Sequence, residues 1–287
     1  MTHAKILFDR FIADLKLEES PDEITALAFA VLNYFGVSNT DVISNKIVPL
    51  GFGTLSPIIS RLNAHEPLQY ILNEAWFYGR KFFVDPSVLI PRPETELLVE
   101  ESIKYLESFR NCQPRLRGQG GRILDIGTGS GCIAISLALK FPNAHVTGID
   151  ISDKALTVAK RNATELKANV QFEQIDILKE SNVMGKFNLI VSNPPYISTL
   201  EKPSMAKNVV DYEPHLALFA PEKDPLIFYR AIAKASKALL TPNGVVLVEI
   251  NEKLGDEVKA IFNAEGNPTS KLMQDLTGKV RFVLTHF

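Results

Sequence analysis

Apolar residues change their spacing along this 287-residue chain, and the changes divide it into three textures. Near the N-terminus they recur at helical intervals: Leu7, Phe11 and Leu15 lie four apart, as one face of a helix requires. The run SPDEITALAFAVLNYFG opens with Ser20 placed to cap, Pro21 at the first helical position and two acids in the first turn, and it closes at Gly36. Further helix starts are expected at Asn39–Asp41 and Ser56–Pro57. No strand-like alternation interrupts residues 1–65, which read as a small helical bundle. From Tyr70 the texture shifts. WFYGRKFFVDPSVLIP is rich in aromatic and β-branched residues, with Gly79 and Asp85-Pro86 as turn signals, and predicts a hairpin. PRPETELLVEESIKYLESF then begins a helix near Pro93, and RNCQPRLRGQGG (110–121) reads as an exposed linker loop. Beyond Arg122 short apolar runs alternate with helical ones. ILDIG, HVTGID, VQFEQID, FNLIVSN and VVLVEI are strands, and SGCIAISLALKF, SDKALTVAKRNATEL and PLIFYRAIAKASKALL are helices.

Such alternation implies a doubly wound, mostly parallel sheet with right-handed crossovers. The last stretch, SKLMQDLTGKVRFVLTHF, breaks at Thr277-Gly278 into two strand-like runs and so adds one antiparallel strand. The expected architecture is α/β. A seven-stranded sheet with a C-terminal antiparallel strand follows a helical domain (1–68) and a β-hairpin linker (69–92), and it occupies residues 93–287.

Composition narrows the partners more than the fold. With 46% hydrophobic and 22% charged residues the chain is ordinary globular material, and a net charge of −2 gives no general basic field for nucleic acid or anionic lipid. Cys112 and Cys132 fit no metal-ligand spacing and the five histidines contain no H-x-x-x-H pair, so no metal is expected. No apolar run approaches the roughly 20 residues that span a bilayer. Asp9 and Arg10 directly follow the first apolar stretch, which argues against a signal peptide. A cytoplasmic protein with neither a membrane nor a direct nucleic-acid partner is expected.

The candidate chemistry lies at strand ends. ILDIGTGSGCIAIS puts Gly127, Gly129 and Gly131 in the turn from the first strand of the alternating region into its helix, where a backbone without Cβ atoms admits a ligand. The G-x-G-x-G spacing differs from the dinucleotide fingerprint G-x-G-x-x-G, which argues against a pyrophosphate. Asp150 ends the next strand, 19 residues past Gly131, where a carboxylate can accept from both hydroxyls of a ribose. Asp176, further along the same edge, suits either the neighbourhood of an adenine ring or a simple strand end. Ile177 suits either an adenine face or the core. Asp125 suits either support of the turn or a cofactor amino group.

At 193–196 the strand FNLIV runs into Asn193, Pro194, Pro195 and Tyr196. Each proline fixes φ and removes an N–H, and the residue before each is pushed to extended backbone. The segment is stiff, presents carbonyls and the Asn193 amide, and offers no N–H from 194 or 195. It suits a substrate that is itself a donor, such as a planar –NH₂ held by the Asn193 side-chain oxygen and the Pro194 carbonyl under the Tyr196 ring. A G-x-G-x-G turn with a ribose-binding acid points to S-adenosylmethionine, and the donor-poor loop points to nitrogen as methyl acceptor. Two hydrogen bonds from an amide –NH₂ would localise its lone pair and aim it for in-line displacement, with placement and electrostatics carrying the catalysis.

DIGTGSG at 125–131, Asp150 and NPPY at 193–196 resemble class I S-adenosylmethionine-dependent methyltransferases acting on planar nitrogen. The block EPLQYILNEAWFYGRKFFVDPSVLIPRPETELLVE (66–100), with YEPHLALF (212–219) and FYRAI (228–232), is similar to the bacterial peptide chain release factor glutamine methyltransferases. That resemblance implies methylation of the glutamine amide in the Gly-Gly-Gln tripeptide of class 1 release factors. It implies Asn193, Pro194, Pro195 and Tyr196 around the substrate, with Asn193, Pro194 and Tyr196 as the catalytic set. For the cofactor it implies Gly127, Thr128, Gly129, Ser130, Gly131, Asp150, Asp176, Ile177 and Asn193, with the helical N-terminal domain docking the protein substrate. The segment PRPETE (91–96) either closes over the pocket or is only a helix start. APEKDPL (220–226) and NEKLG (251–255) depart from the family pattern outside these motifs. NPPY also suits methylation of a ribosomal-protein glutamine or of adenine N6 in DNA. The acidic balance and the lack of a large insert argue against DNA. A non-catalytic nucleotide-binding module would leave NPPY without a purpose.

Overall fold

A computed structural model of the chain describes residues 1–112, 121–179, 185–265 and 269–287. The chain divides by contact into two units, Met1–Asn73 with Ala206–Tyr212 and Glu74–Met205 with Glu213–Phe287.

Apolar faces and caps build the first unit: β1 (Thr2–His3), α1 (Ala4–Asp14), α2 (Pro21–Tyr34), α3 (Asn39–Ile43), β2 (Ile47–Val48), α4 (Phe52–Asn63) and α5 (Leu68–Leu72). Ser20 starts α2 with a reciprocal capping box to Glu23, and Ser38 starts α3 in the same way with Asp41. Leu7, Phe11, Val31, Leu32, Leu55 and Leu62 meet in its core. Two expectations are corrected here. A two-residue antiparallel pair, β1 with β2, interrupts the helices; it is too short to show as alternation. Helix α4 starts at Phe52 and carries Pro57 inside. An interior proline costs about 3 kcal/mol. Burial of Leu55, Ile58, Ile59 and Leu62 outweighs it, at about 1.5–3 kcal/mol for each fully buried side chain.

The second unit opens with the hairpin of β3 (Ala75–Phe77) and β4 (Arg80–Phe82). Its two-residue turn, Tyr78–Gly79, has φ of 49° and 71°, the mirror-image turn that matches strand twist. Helix α6 runs from Pro93 to Cys112, so the start of the expected linker is helical, and residues 113–120 lie outside the described ones. There follow β5 (Arg122–Ile126), α7 (Cys132–Lys140), β6 (His145–Asp150), α8 (Asp153–Leu166), β7 (Val170–Gln174), β8 (Phe187–Ser192), β9 (Ile197–Ser198), α9 (Lys207–Tyr212), α10 (His215–Leu218), β10 (Phe219–Ala220), α11 (Ile227–Leu239), β11 (Leu240–Glu249), α12 (Gly255–Asn263), β12 (Thr269–Gln274) and β13 (Val280–His286). Of these, α9 is the segment counted with the first unit, where the Tyr212 hydroxyl donates to the Ala64 carbonyl at 2.6 Å.

Seven strands form one sheet in the order β12-β13-β11-β8-β5-β6-β7, parallel except at β13, which is antiparallel to both neighbours. Both faces are covered, and side chains alternate between them with the strand period. Ile123, Leu189, Val191, Val245 and Leu247 pack under α6 and α7, whereas Leu124, Ile190, Val246 and Val248 pack under α11 and α12. Burial on both faces is why these strands read as unbroken apolar runs. The chain leaves β5 toward β6 on one side and returns to β8 on the other. The carboxyl ends of β5 and β8 therefore flank a switch-point crevice. The register Ile126↔Ser192 makes Gly127 and Asn193 the first residues beyond that edge.

Candidate active site

The glycine turn divides its labour between ligand and helix. Gly127, Gly129 and Gly131 all have positive φ, at 72°, 55° and 81°. A Cβ on Gly127 would meet nothing within 4 Å, and one on Gly129 would meet only the Gly127 carbonyl at 4.0 Å. Their backbone therefore fronts open space. A Cβ on Gly131 would strike Ile135 at 2.9 Å and Ala159 at 3.2 Å, so this glycine lets the helices approach the turn. The N–H groups of Gly127 and Thr128 both donate to the Ile149 carbonyl, which pins the turn to the end of β6. Thr128 and Ser130 are buried and face away from the cleft. The Thr128 hydroxyl donates to Asp125, and the Ser130 carbonyl accepts from Asn162 at 2.9 Å.

The acids take different roles. Asp150 accepts the Gly129 N–H on Oδ2 and the Ser152 N–H on Oδ1, both at 2.9 Å, and so braces the turn from the neighbouring strand. Burial raises its pKa, and those backbone hydrogen bonds oppose the rise. Asp125 is fully buried. Its Oδ2 accepts from Thr128 Oγ1 at 2.7 Å and from the Ala134 N–H at 3.2 Å, and its Oδ1 has no partner. Burial pushes this carboxyl up to about 7 against those two bonds. Its contacts are those of a support for the turn. Asp176 lies just past β7, where it accepts the Leu178 N–H at 3.0 Å and pairs with Lys179. Ile177 packs partly against the core beside α11.

A cleft of about 210 Å³ opens at this edge. It gathers Gly127, Gly129 and Asp150 from the first two strand ends, Asp176 and Ile177 from the third, and Asn193, Pro194 and Pro195 from the fourth. Thr128, Ser130, Gly131 and Tyr196 do not line it. The opposite wall had no forecast: Ser87, Val88 and Leu89 follow the hairpin, and Pro214, Leu216 and Ala217 lie around α10. The Asn162 side chain fixes the first of these segments from behind, bonding both the N–H and the carbonyl of Phe83. Bare backbone at Gly127 and Gly129, a carboxylate at Asp150 and an apolar wall fit a nucleoside with an aliphatic tail. S-adenosylmethionine meets that description.

Asn193 is tied to residues far away in sequence. Its Nδ2 donates to Thr95 Oγ1 at 3.1 Å, and Thr95 Oγ1 donates to Glu249 Oε2 at 2.8 Å. The Tyr196 hydroxyl donates to Glu249 Oε1 at 3.2 Å, and the Tyr229 hydroxyl to the Glu249 carbonyl at 3.1 Å. Glu249 is 3% exposed, and burial lifts its carboxyl to about 7 against the bonds from Thr95 and Tyr196. Burial, then the charge of Glu249, raises the Tyr196 phenol. The PRPETE segment is held at its other end by Arg92, which pairs with buried Glu213, and Glu213 also accepts the Ile90 N–H at 3.2 Å. Sequence reasoning named the segments that hold Thr95 (PRPETE, 91–96) and Glu213 (YEPHLALF, 212–219) without singling out either side chain, and it missed Glu249. Only Glu249 carries a local signal, a carboxylate closing the apolar run VVLVE.

Among the described residues no group of three or more histidine, cysteine or acidic side chains is placed to hold a metal, and no helix is long and apolar enough to cross a membrane. A family model described as a methyltransferase domain matches residues 118–275. A release factor glutamine methyltransferase of Bacteroides thetaiotaomicron is 41% identical over 268 residues, which cover 92% of each chain. One of Flavobacterium psychrophilum is 43% identical over 233 residues, covering 80% of this chain and 79% of its own. Among solved structures, a T. thermophilus 16S rRNA N2 G1207 methyltransferase in complex with AdoMet and guanosine matches with a TM-score of 0.51, over 74% of this chain and 49% of its own. At 18% identity that likeness speaks for the fold alone.

Proposed function

The chain belongs to the release factor glutamine methyltransferase family, and from that premise we propose that it transfers a methyl group from S-adenosylmethionine to the side-chain amide nitrogen, N5, of the glutamine in the Gly-Gly-Gln motif of class 1 peptide release factors. When bound, the cofactor supplies an electrophilic methyl carried on a sulfonium. The residues of this chain do the rest. The open backbone of Gly127 and Gly129 and the Asp150 carboxylate hold the nucleoside, with Asp176 and Ile177 beside its base. The Asn193 side-chain oxygen and the Pro194 carbonyl accept the two hydrogens of the glutamine amide, and the Tyr196 ring packs on its plane. The nitrogen lone pair, drawn partly out of amide resonance, then faces the methyl. That nitrogen would take the methyl the sulfonium supplies, with the thioether as leaving group, and would afterwards release one proton.

One observation carries the assignment of Asn193. Its Nδ2 is committed to Thr95, so the edge left for the cleft is the acceptor edge. The first unit docks the protein substrate in this reading. It leaves Tyr34, Ile43 and Ile47 exposed, apolar surface that its own core does not use. A release factor as substrate puts the reaction in the cytoplasm. The test is transfer of labelled methyl from S-adenosylmethionine to a purified release factor, run beside ribosomes and DNA. Label should reach the release factor alone and vanish when its Gly-Gly-Gln glutamine is replaced. Label that persists after that replacement would sink the assignment.

A further inference from the structure

An asparagine amide has one donor and one acceptor edge, and nothing in Asn193 itself decides which edge meets the substrate. Three neighbours decide it. Glu249, at the end of β11, receives Thr95 on one carboxylate oxygen and Tyr196 on the other. An ionised carboxylate can only accept. Thr95 and Tyr196 must therefore each turn their single hydroxyl hydrogen toward it. The Thr95 oxygen is then left with lone pairs only, and the group 3.1 Å away that can serve them is Asn193 Nδ2–H. With its nitrogen held there, the side chain turns its oxygen the other way. We propose that Glu249, acting through the Thr95 hydroxyl, is a positioning residue that locks the Asn193 amide with its oxygen toward the substrate nitrogen. The inference rests on the reading of Asn193 as acceptor for the glutamine amide.

The relay carries a direction that protonation reverses. A protonated Glu249 can donate to Thr95, which frees the Thr95 hydrogen for Asn193 Oδ1. The amide then turns over and sets its –NH₂ against the substrate –NH₂, donor facing donor. The groups around Glu249 come from four elements: Glu94 on α6 opposes ionisation, Arg281 on β13 favours it, Tyr196 follows β8, and Tyr229 stands on α11. Burial, reinforced by Glu94, outweighs the bonds from Thr95 and Tyr196 and the charge of Arg281, and leaves the carboxyl near 7. The ordered relay is thus present above that pH and lost as pH falls through it.

The experiment measures kcat, the KM for the release factor and the dissociation constant of S-adenosylmethionine across about pH 6–9 with the full chain. Thr95→Val should lower kcat about tenfold or more, equivalent to one lost orienting bond. It should also leave cofactor affinity unchanged and flatten the acid limb of the pH profile. Thr95→Ser, which restores the hydroxyl, should recover both rate and profile. Glu249→Gln, which cannot titrate, should flatten the same limb. A Thr95→Val protein with wild-type kcat, or an acid limb near pH 7 retained in Glu249→Gln, would overturn the relay. No transfer to the release factor glutamine by the wild type would instead overturn the reaction itself.

Discussion

Asp125→Asn should change stability with a sign that depends on pH. The wild-type carboxyl is fully buried, and its pKa rises from 3.8 to about 7 on folding. At 1.36 kcal/mol per unit, that rise corresponds to about 4 kcal/mol. The unfolded chain loses this proton near 3.8 and the folded chain keeps it to about 7. In between, the folded state binds more protons, so stability falls as pH rises. The cost is absent below the unfolded value and complete above the folded one. Asparagine abolishes it. Its oxygen can accept from Thr128 and Ala134 as Oδ2 does now, but its –NH₂ replaces the unpartnered Oδ1 and is itself unpaired. A buried donor left without a partner costs about 1–3 kcal/mol at every pH. The balance makes the variant about 1–3 kcal/mol more stable than the wild type at pH 8, whereas at pH 5, where the wild-type cost is only about 1.6 kcal/mol, the two lie within about 1 kcal/mol of each other. Urea unfolding at both values, followed through the single tryptophan, Trp76, reports on the unit that contains Asp125. Comparing the variant with the wild type at each pH cancels the other buried carboxyl, Glu249. A stability difference of the same sign and size at pH 5 and pH 8 would refute the claim that a buried charge, and not a lost contact, dominates at Asp125.

Asn193→Ala should lower kcat about a hundredfold, on the scale of one lost acceptor at a reacting group, with the affinity for S-adenosylmethionine within about threefold by calorimetry. Gly129→Ala places a Cβ on a residue with φ of 55°, at a strain of about 1–2 kcal/mol, and faces it to the cleft. Cofactor binding should weaken about tenfold, read by titration, while the thermal midpoint drops only slightly. Arg92→Leu leaves the Glu213 carboxylate buried with the Ile90 N–H as its remaining bond. Because Arg92 is 34% exposed, the loss should be about 1–3 kcal/mol in denaturant unfolding, below that of a fully buried pair. Ile43→Glu combined with Ile47→Lys should raise the KM for the release factor several-fold and leave cofactor affinity unchanged; an unaltered KM would free the first unit of its docking role.

The sheet was legible because its strands are buried on both faces, so apolar runs such as FNLIV mark them without any knowledge of their neighbours. Gly127, Asp150 and Asn193 were legible for a related reason. Each closes or follows such a run, and in a parallel sheet all carboxyl ends share one edge. The inner face of the site was not legible. Thr95 and Glu249 stand 154 residues apart, and their contact depends on how α6 packs across β11. Thr128 and Ser130 belong to the glycine motif, yet the dihedrals of that turn send their side chains into the protein, which spacing alone does not report. Pro57 marked a helix start by propensity, and burial of the α4 face moved that start to Phe52.

In the proposed reaction, the placing of Asp125 and Glu249 gives a reason why a site with so many acids would need none of them as a base. Both are buried beneath the sheet edge and raised to about 7; Glu249 engages residues of the protein with both oxygens and Asp125 with Oδ2. Asp125 holds the glycine turn that lines the cleft, and Glu249 holds the loop that, in the proposed reaction, fronts the substrate. A carboxylate free to reach the amide nitrogen would gain little, because an amide proton becomes acidic only after the methyl has arrived. The demand before transfer is alignment, and alignment requires fixed acceptors. Each buried acid fixes the donor direction of a hydroxyl, Thr128 in one case and Thr95 in the other, and so converts a rotatable group into an oriented one. The energy stored in burying two carboxyls is therefore spent on geometry, and solvent can take the proton afterwards.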